Sequence, residues 1–278
     1  MEEYLRDLLG TTIFVEVVNS INLRELTEIR LRVSRKICIR SRNEKIKLKI
    51  ATTEKIIDEI IGKATKHSPY AYNDEMISGY IKTTHGIRIG VVGRYVCSND
   101  KILSIKQVTS LNIRVPHEII GAGLELSNIL SNFDNTIIVA PPGGGKTTLI
   151  RDFARVLSNT YDLVIIDERD EITAGGKFTF GDCVDIVSGV QKTMIGEAII
   201  RSMSPEIVVM DEIYLDRDLE MIEYLSRAGI YILAAIHGSS NDRIVNRLID
   251  KTDAFAYAVI LSKVPRPGTI EKVLRFTK

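Results

Sequence analysis

Ala140-Pro-Pro-Gly-Gly-Gly-Lys-Thr-Thr148 decides how this chain is read. An apolar run, Thr136-Ile-Ile-Val-Ala140, leads into it, and Leu149-Ile-Arg-Asp-Phe-Ala-Arg-Val-Leu157 follows with helical spacing. Strand, glycine turn and helix start form the context that a phosphate-binding loop requires. The glycines let backbone N–H groups converge on phosphate oxygens with no Cβ in the way, and the helix N-terminus adds its positive dipole end. Ala140, Pro141, Pro142, Gly143, Gly144, Gly145, Lys146, Thr147 and Thr148 are therefore the expected ATP-binding set. Lys146 would reach the β- and γ-phosphates, and the Thr147 hydroxyl would ligate Mg²⁺. The pattern G-x-x-x-x-G-K-[ST] departs at its first position, where Ala140 stands, and alanine is small enough for the turn.

At 278 residues the chain can build one large domain or two smaller ones. A 45% apolar and 26% charged composition fits a soluble globular protein. The net charge of +1 argues against a general polyanion binder. Cys38, Cys97 and Cys183 are widely spaced with no CxxC pair, which reads as reduced thiols in a cytosolic protein without a disulfide partner. The opening Met1-Glu-Glu-Tyr-Leu-Arg is acidic where a signal peptide would be basic, and the apolar run 228–236 is too short to cross a bilayer.

Around this loop the chain reads as two parts. Short helical pieces come first, up to about Asn22. Then Ile29, Leu31 and Val33 alternate with Arg30 and Arg32, Ile37 and Ile39 with Cys38 and Arg40, and Ile46, Leu48 and Ile50 with Lys47 and Lys49. This predicts three antiparallel strands with a basic outer face, extended by Arg35, Lys36, Arg42 and Lys45. No aromatic side chain is interleaved there, which argues against a single-stranded nucleic-acid platform. Thr53 is the expected N-cap of a helix carrying Ile56, Ile57, Ile60, Ile61 and Ala64, ended by Ser68-Pro69. A second helix is expected over 74–81, and further strands up to Val115. The boundary falls at Pro116, giving an N-terminal α+β domain over 1–116 and a nucleotide domain over 117–278.

In the second part, a helix over 118–130, broken early by Gly121 and Gly123, is expected to precede the loop. Strands 162–166, 206–210 and 230–236 alternate with helices, while 172–191, punctuated by Gly175, Gly176, Gly181 and Gly189, reads mostly as loop. Continuously apolar strands alternating with helices predict a parallel α/β sheet covered on both faces. Polar residues at the strand C-termini of such a sheet collect on one edge, where ligands bind. Three strands end in such residues: Asp167-Glu168, Asp211-Glu212 and His237. Asp211 fits the carboxylate that holds Mg²⁺ through water, and Glu212 is placed to polarise the attacking water. Asp167 and Glu168 are further acidic candidates, and His237 is a candidate γ-phosphate sensor.

The order of these motifs resembles that of the secretion ATPases of type II and type IV systems. Val164-Ile-Ile-Asp-Glu168 is similar to their acidic box. Ser204-Pro-Glu-Ile-Val-Val-Met-Asp-Glu-Ile213 is similar to their second acidic motif, and Ile232-Leu-Ala-Ala-Ile-His237-Gly to their histidine box. Within that superfamily, Leu26-Thr-Glu-Ile-Arg-Leu-Arg32, Gly86-Ile-Arg-Ile-Gly-Val-Val-Gly-Arg94, Ser110-Leu-Asn-Ile-Arg114, Asp167-Glu-Arg-Asp-Glu-Ile172 and Arg201-Ser-Met-Ser-Pro-Glu206 with Asp211-Glu-Ile213 resemble the stage III sporulation AA family of endospore-forming bacteria. Asp211 stands where the secretion ATPases have glycine, and Ile230 where their histidine box has its first histidine.

The resemblance implies a RecA-like phosphate-loop ATPase core preceded by a smaller α+β domain. It implies a cytoplasmic, hexameric enzyme that hydrolyses Mg-ATP at a membrane-spanning channel between mother cell and forespore, with membrane proteins of that channel as partners. It also implies arginines that complete the site from the N-terminal domain or a neighbour, for which Arg88, Arg94 and Arg114 are the candidates. A nucleic-acid-associated ATPase on the same core and an ATP-dependent assembly switch with little turnover are the competing readings.

Overall fold

The computed structural model describes residues 1–41, 44–83, 85–130, 132–174, 178–238 and 251–276. Arg42, Gly175 and Gly176 lie outside the described residues. The chain divides into two compact units, Met1–His117 and Glu118–Lys278.

In the first unit the period-two alternation yields β1 (Glu28–Arg32), β2 (Lys36–Arg40) and β3 (Lys45–Ala51). They join β4 (Tyr80–Lys82), β5 (Arg88–Ser98) and β6 (Lys101–Arg114) in a six-stranded antiparallel sheet of order β3-β2-β1-β6-β5-β4. Inward residues Ile29, Leu31, Ile37, Ile39, Leu48, Ile89 and Ile113 share one core with Leu5 and Leu8 of α1 (Glu2–Leu9), Phe14 and Val17 of α2 (Thr11–Ser20), and Ile57 and Ile60 of α3 (Glu54–Ala64). Thr53 caps α3 as expected, its hydroxyl accepting from Ile56 N at 3.2 Å. Such a cap contributes about 1 kcal/mol.

The outer face of this sheet is basic, with Lys36, Lys45, Lys47 and Lys49 exposed. Glu28 tempers it, paired in register with Arg40 on one side and Arg114 on the other, and ion-paired with Arg30 and Arg40.

Two expectations for this unit change. The helix expected over 74–81 stops early: α4 covers Asn73–Ile77, Gly79 turns the chain at φ 95°, and Tyr80–Lys82 pairs with β5 instead. The local apolar spacing fitted both states, and the sheet edge won. Likewise α3 ends at Ala64, not at Ser68-Pro69, because the buried Thr65 hydroxyl donates back to the Ile61 carbonyl at 2.8 Å and Lys66 and His67 adopt positive φ.

The second unit is built on a seven-stranded sheet of order β13-β12-β7-β11-β10-β8-β9. Its strands are β7 (Thr136–Ala140), β8 (Leu163–Asp167), β9 (Val184–Ser188), β10 (Ile207–Glu212), β11 (Tyr231–His237), β12 (Tyr257–Ser262) and β13 (Thr269–Arg275). All pairings are parallel except β12 with β13.

Both faces are covered, as the continuous apolar strands require. Ile137, Val139, Val208 and Ile232 pack with Ile199 of α7 (Lys192–Met203) and with Ile222 and Leu225 of α8 (Leu215–Arg227). Their neighbours Ile138, Val209 and Leu233 pack the other way, on Leu126 of α5 (Ala122–Ile129) and on Leu149, Ile150 and Phe153 of α6 (Lys146–Leu157). The fold is therefore the expected α/β class: a mostly parallel, two-faced sheet preceded by a smaller antiparallel α+β unit.

Here too the structure corrects the reading. The helix expected over 118–130 begins only at Ala122. Gly121 turns at φ 97°, and the main-chain N–H groups of Gly121 and Gly123 donate to Asp152 Oδ2 at 2.9 and 2.6 Å. A Cβ at Gly123 would meet the Phe153 nitrogen at 2.5 Å, so the glycine is what lets α5 lie against α6. The stretch 172–191 is irregular over its described residues, as expected, except where β9 adds an edge strand to the sheet.

Candidate functional site: the C-terminal edge of the parallel sheet

The loop 141–145 leaves β7 and delivers Lys146 as the first residue of α6. Gly143 and Gly145 sit at φ 70° and 90°, and Gly144 N donates to the Pro141 carbonyl at 2.8 Å. Ala140, by contrast, is a regular strand residue paired with His237, fully buried beside Leu149. No glycine is needed there, which explains why alanine serves at the first position of the pattern. The turn between β12 and β13 closes on this loop: Gly268 N donates to the Gly144 carbonyl at 2.8 Å. A methyl at Gly143 would come within 3.8 Å of Lys263 Nζ, so that ammonium stands beside the loop.

Burial holds the Lys146 ammonium below the ordinary lysine range, against the pull of Glu212, Glu171 and Asp211. The phosphate loop and the acidic strand ends thus share one electrostatic neighbourhood. β10 brings in Asp211 and Glu212. Its register with β11 shifts between Val209 and Glu212, an irregularity of the kind that re-aims side chains at active sites. Asp211 is buried, and its Oδ1 has no hydrogen-bond partner among the described residues. Lys192 Nζ lies 3.3 Å from that oxygen, as an ion-pair partner. Burial pushes the Asp211 carboxyl up to about 6, with Lys192 opposing and Asp167 and Glu168 adding to the rise.

Glu212 is held on both sides: His237 Nε2 is 3.5 Å from its Oε1, and Arg169 Nη1 is 3.5 Å from its Oε2. Arg169 is itself steadied by the Tyr214 hydroxyl at 2.9 Å. The buried carboxylate of Asp211, whose Oδ1 has an ion-pair partner in Lys192 but no hydrogen-bond donor among the described residues, and a hydroxyl on Thr147, in the first turn of α6, are hard oxygen donors of the kind that Mg²⁺ takes, and they fit the metal expected here.

A family model described as "Sporulation stage III, protein AA" matches residues 2–275. The chain belongs to the sporulation stage III protein AA family. Stage III sporulation protein AA of Bacillus subtilis (strain 168) is 29% identical over 265 residues, covering 90% of this chain and 86% of that protein. Among solved structures, the pilus retraction motor PilT with bound ADP superposes at TM-score 0.58 with 15% identity, over 88% of this chain and 76% of its own. The ATPase DotB of Legionella pneumophila does so at TM-score 0.52 with 12% identity, over 91% and 75%. These likenesses show a shared fold, the RecA-like core with its preceding domain that the motif order implied.

The acidic residues at the end of β8 in this protein AA family member are engaged within the chain. Asp167 is fully buried, and its oxygens accept from Glu171 N, Thr173 N and Thr173 Oγ1, each at 2.8 Å. It therefore ties down the following loop. Glu168 accepts from Lys192 N at 2.6 Å, pairs with Lys192 Nζ at 3.1 Å and meets Arg217 Nη2 at 3.3 Å. Burial alone would raise the Glu168 carboxyl, but the Lys192 hydrogen bonds and the Lys192 and Arg217 charges outweigh it and hold it below the usual range.

Arg88, Arg94 and Arg114 belong to the first unit. Arg88 and Arg114 are direct cross-strand partners, Arg88 stacks over Tyr80 at 4.5 Å, and Arg94 is exposed opposite Gln107. Sequence reasoning missed Lys192, Arg169, Arg217 and Lys263. Arg169 lies within the motif Asp167–Ile172 but was given no role, the other three stand outside any motif, and only the fold reveals their neighbours.

Proposed function

We propose that this chain is an ATPase that hydrolyses Mg-ATP to energise or assemble a membrane-spanning, secretion-like channel during endospore formation. The observation that carries the reading is the placement of Glu212, braced by His237 and Arg169, at the same sheet edge as the phosphate loop and Lys146. Backbone N–H groups of 143–148 and the Lys146 ammonium bind the β- and γ-phosphates. Thr147 and Asp211 hold the metal, which when bound neutralises phosphate charge. Glu212 orients the attacking water and takes its proton, and His237, bridging toward Glu212, senses the γ-phosphate. Phosphoryl transfer needs positioning and charge stabilisation more than covalent chemistry, so this set suffices.

Arg94, Arg114 or Arg88 completes the site in a hexamer, because a guanidinium stabilises transition-state charge better than solvent does. The enzyme works at the cytoplasmic, mother-cell side of a complex whose membrane proteins anchor it, and no helix among the described residues is long and apolar enough to cross a membrane. The family membership and the matching of PilT and DotB by fold support this reading over a nucleic-acid motor.

The test is phosphate release from Mg-ATP across a wide range of protein concentrations, with Glu212→Gln as control. Activity per subunit should rise with concentration and vanish in the variant. Tight binding of a fluorescent ATP analogue with no release at any concentration would leave the assembly switch in its place.

A further inference from the structure

We propose that Lys192 is the positioning residue of the Asp211–Glu212 strand end, and that turnover depends on its ammonium while nucleotide binding does not. The inference rests on the ATPase reading above.

Lys192 is completely buried, at 0% exposure, which a charged ammonium tolerates only when its N–H groups are met and its charge is balanced. Four oxygens surround it here. Its Nζ donates to the Glu212 carbonyl at 3.0 Å, lies 3.1 Å from Glu168 Oε1 and 3.3 Å from Asp211 Oδ1, and has Asp218 Oδ2 at 3.8 Å. Its own main-chain N–H is fixed on Glu168 at 2.6 Å, so the start of α7 is pinned to the end of β8.

The sheet supports this place on the β11 side alone, where Glu212 pairs with Ala235 and Ile213 N donates to the Ala235 carbonyl at 2.8 Å. Pairing between β10 and β8 runs only as far as Met210 opposite Ile166, and the register of β10 with β11 slips between Val209 and Glu212. Asp211 and Glu212 therefore lie beyond the ladder on one side and in an irregularity on the other. The ammonium of Lys192 takes over there, joining Glu168 beyond β8 to the Glu212 carbonyl at the end of β10. It grips the main chain and not the carboxylate of Glu212, whose two oxygens face His237 and Arg169. Removing it would loosen the aim of Glu212 while leaving the phosphate loop, anchored by β7, α6 and Gly268, as it is.

The experiment compares Lys192→Met, Lys192→Arg and the charge-balanced double variant Lys192→Met/Asp218→Asn, the last against Asp218→Asn alone. Folding is read by circular dichroism, binding by a fluorescent ATP analogue and turnover by phosphate release. In folded variants the analogue should bind within about threefold of its reference while kcat falls about 100-fold with KM little changed, since a catalytic group misplaced by an ångström costs that much. Lys192→Arg, which keeps the charge, should recover at least about tenfold over Lys192→Met. Unchanged kcat in a folded variant overturns the proposal. So does a parallel loss of binding and turnover with arginine no better than methionine, which marks a structural anchor. A wild-type protein that releases no phosphate defeats the ATPase reading and this inference with it, a failure distinguished by appearing before any substitution.

Discussion

His237 at the end of β11 and Glu212 at the end of β10 meet at 3.5 Å between Nε2 and Oε1. Adjacent parallel strands thus place an imidazole against the carboxylate proposed to activate water. Replacing His237 with alanine frees that oxygen without disturbing the loop proposed to grip the phosphates. We expect kcat for phosphate release to fall about 10- to 100-fold, at the lower end of what a positioned acid–base group supplies, with KM within about twofold. Steady-state kinetics decide it: an unchanged kcat with a raised KM would mean that His237 contacts the nucleotide in its ground state instead.

Gly145 couples the phosphate loop to the β12–β13 turn. It sits at φ 90°, and an added Cβ would lie 2.5 Å from the Gly268 nitrogen, a backbone atom that cannot swing away. Gly143 also has a positive φ, but its nearest obstacle is the flexible end of Lys263 at 3.8 Å. Gly145→Ala should therefore weaken nucleotide binding by at least about 2 kcal/mol, roughly 30-fold, and more than Gly143→Ala does. Titration with a fluorescent ATP analogue gives the ranking, and equal losses would show that backbone conformation alone, not the Gly268 contact, sets the effect.

Glu168 supplies a pH dependence with a definite sign. Its carboxyl is held below the ordinary value by Lys192 and Arg217, so its ionised form stabilises the folded state. That contribution is fully present above the ordinary glutamate value and is lost as pH falls through the depressed folded one. Glu168→Gln should cost about 2 kcal/mol in urea unfolding at pH 7, the scale of a hydrogen bond to a charged group. The gap between variant and wild type should close as the pH is lowered below about 4. A gap that persists unchanged in acid would assign the loss to packing and not to charge.

How much of this was legible in the chain follows from physics. The phosphate loop, Thr53 cap, basic strands and strand-end residues could be read because each depends on local spacing or on a motif within one segment. The helix over 74–81 was misread because Tyr80-Ile-Lys82 answers to β5, a partner distant in sequence. β9 escaped because Val184–Ser188 is a half-exposed edge strand without continuous apolar character, and the β12–β13 hairpin, outside any motif, was not assigned. The partners of Asp167 were hidden for a related reason: sequence shows an acid at a strand end but not which N–H groups the next loop will turn toward it. Lys192 carried no local signal at all, because its partners come from the ends of β8 and β10 and from α8.

Asp167 offers the sharpest test of that last distinction. Three donors converge on its buried carboxylate, two of them from Thr173. Asp167→Ala strands all three in the interior, which should cost about 3 kcal/mol or more, since each orphaned buried donor forfeits about 1–3 kcal/mol. Thr173→Val removes the hydroxyl donor but keeps the main-chain N–H bond, so its cost should be nearer 1 kcal/mol, that of a single ordinary hydrogen bond. Urea unfolding measures both. If Asp167 only secures the loop, Thr173→Val should keep kcat within about threefold, because no group that touches the nucleotide has moved. A folded Thr173→Val variant whose turnover collapsed would return Asp167 to the catalytic set that its place beside Glu168 first suggested.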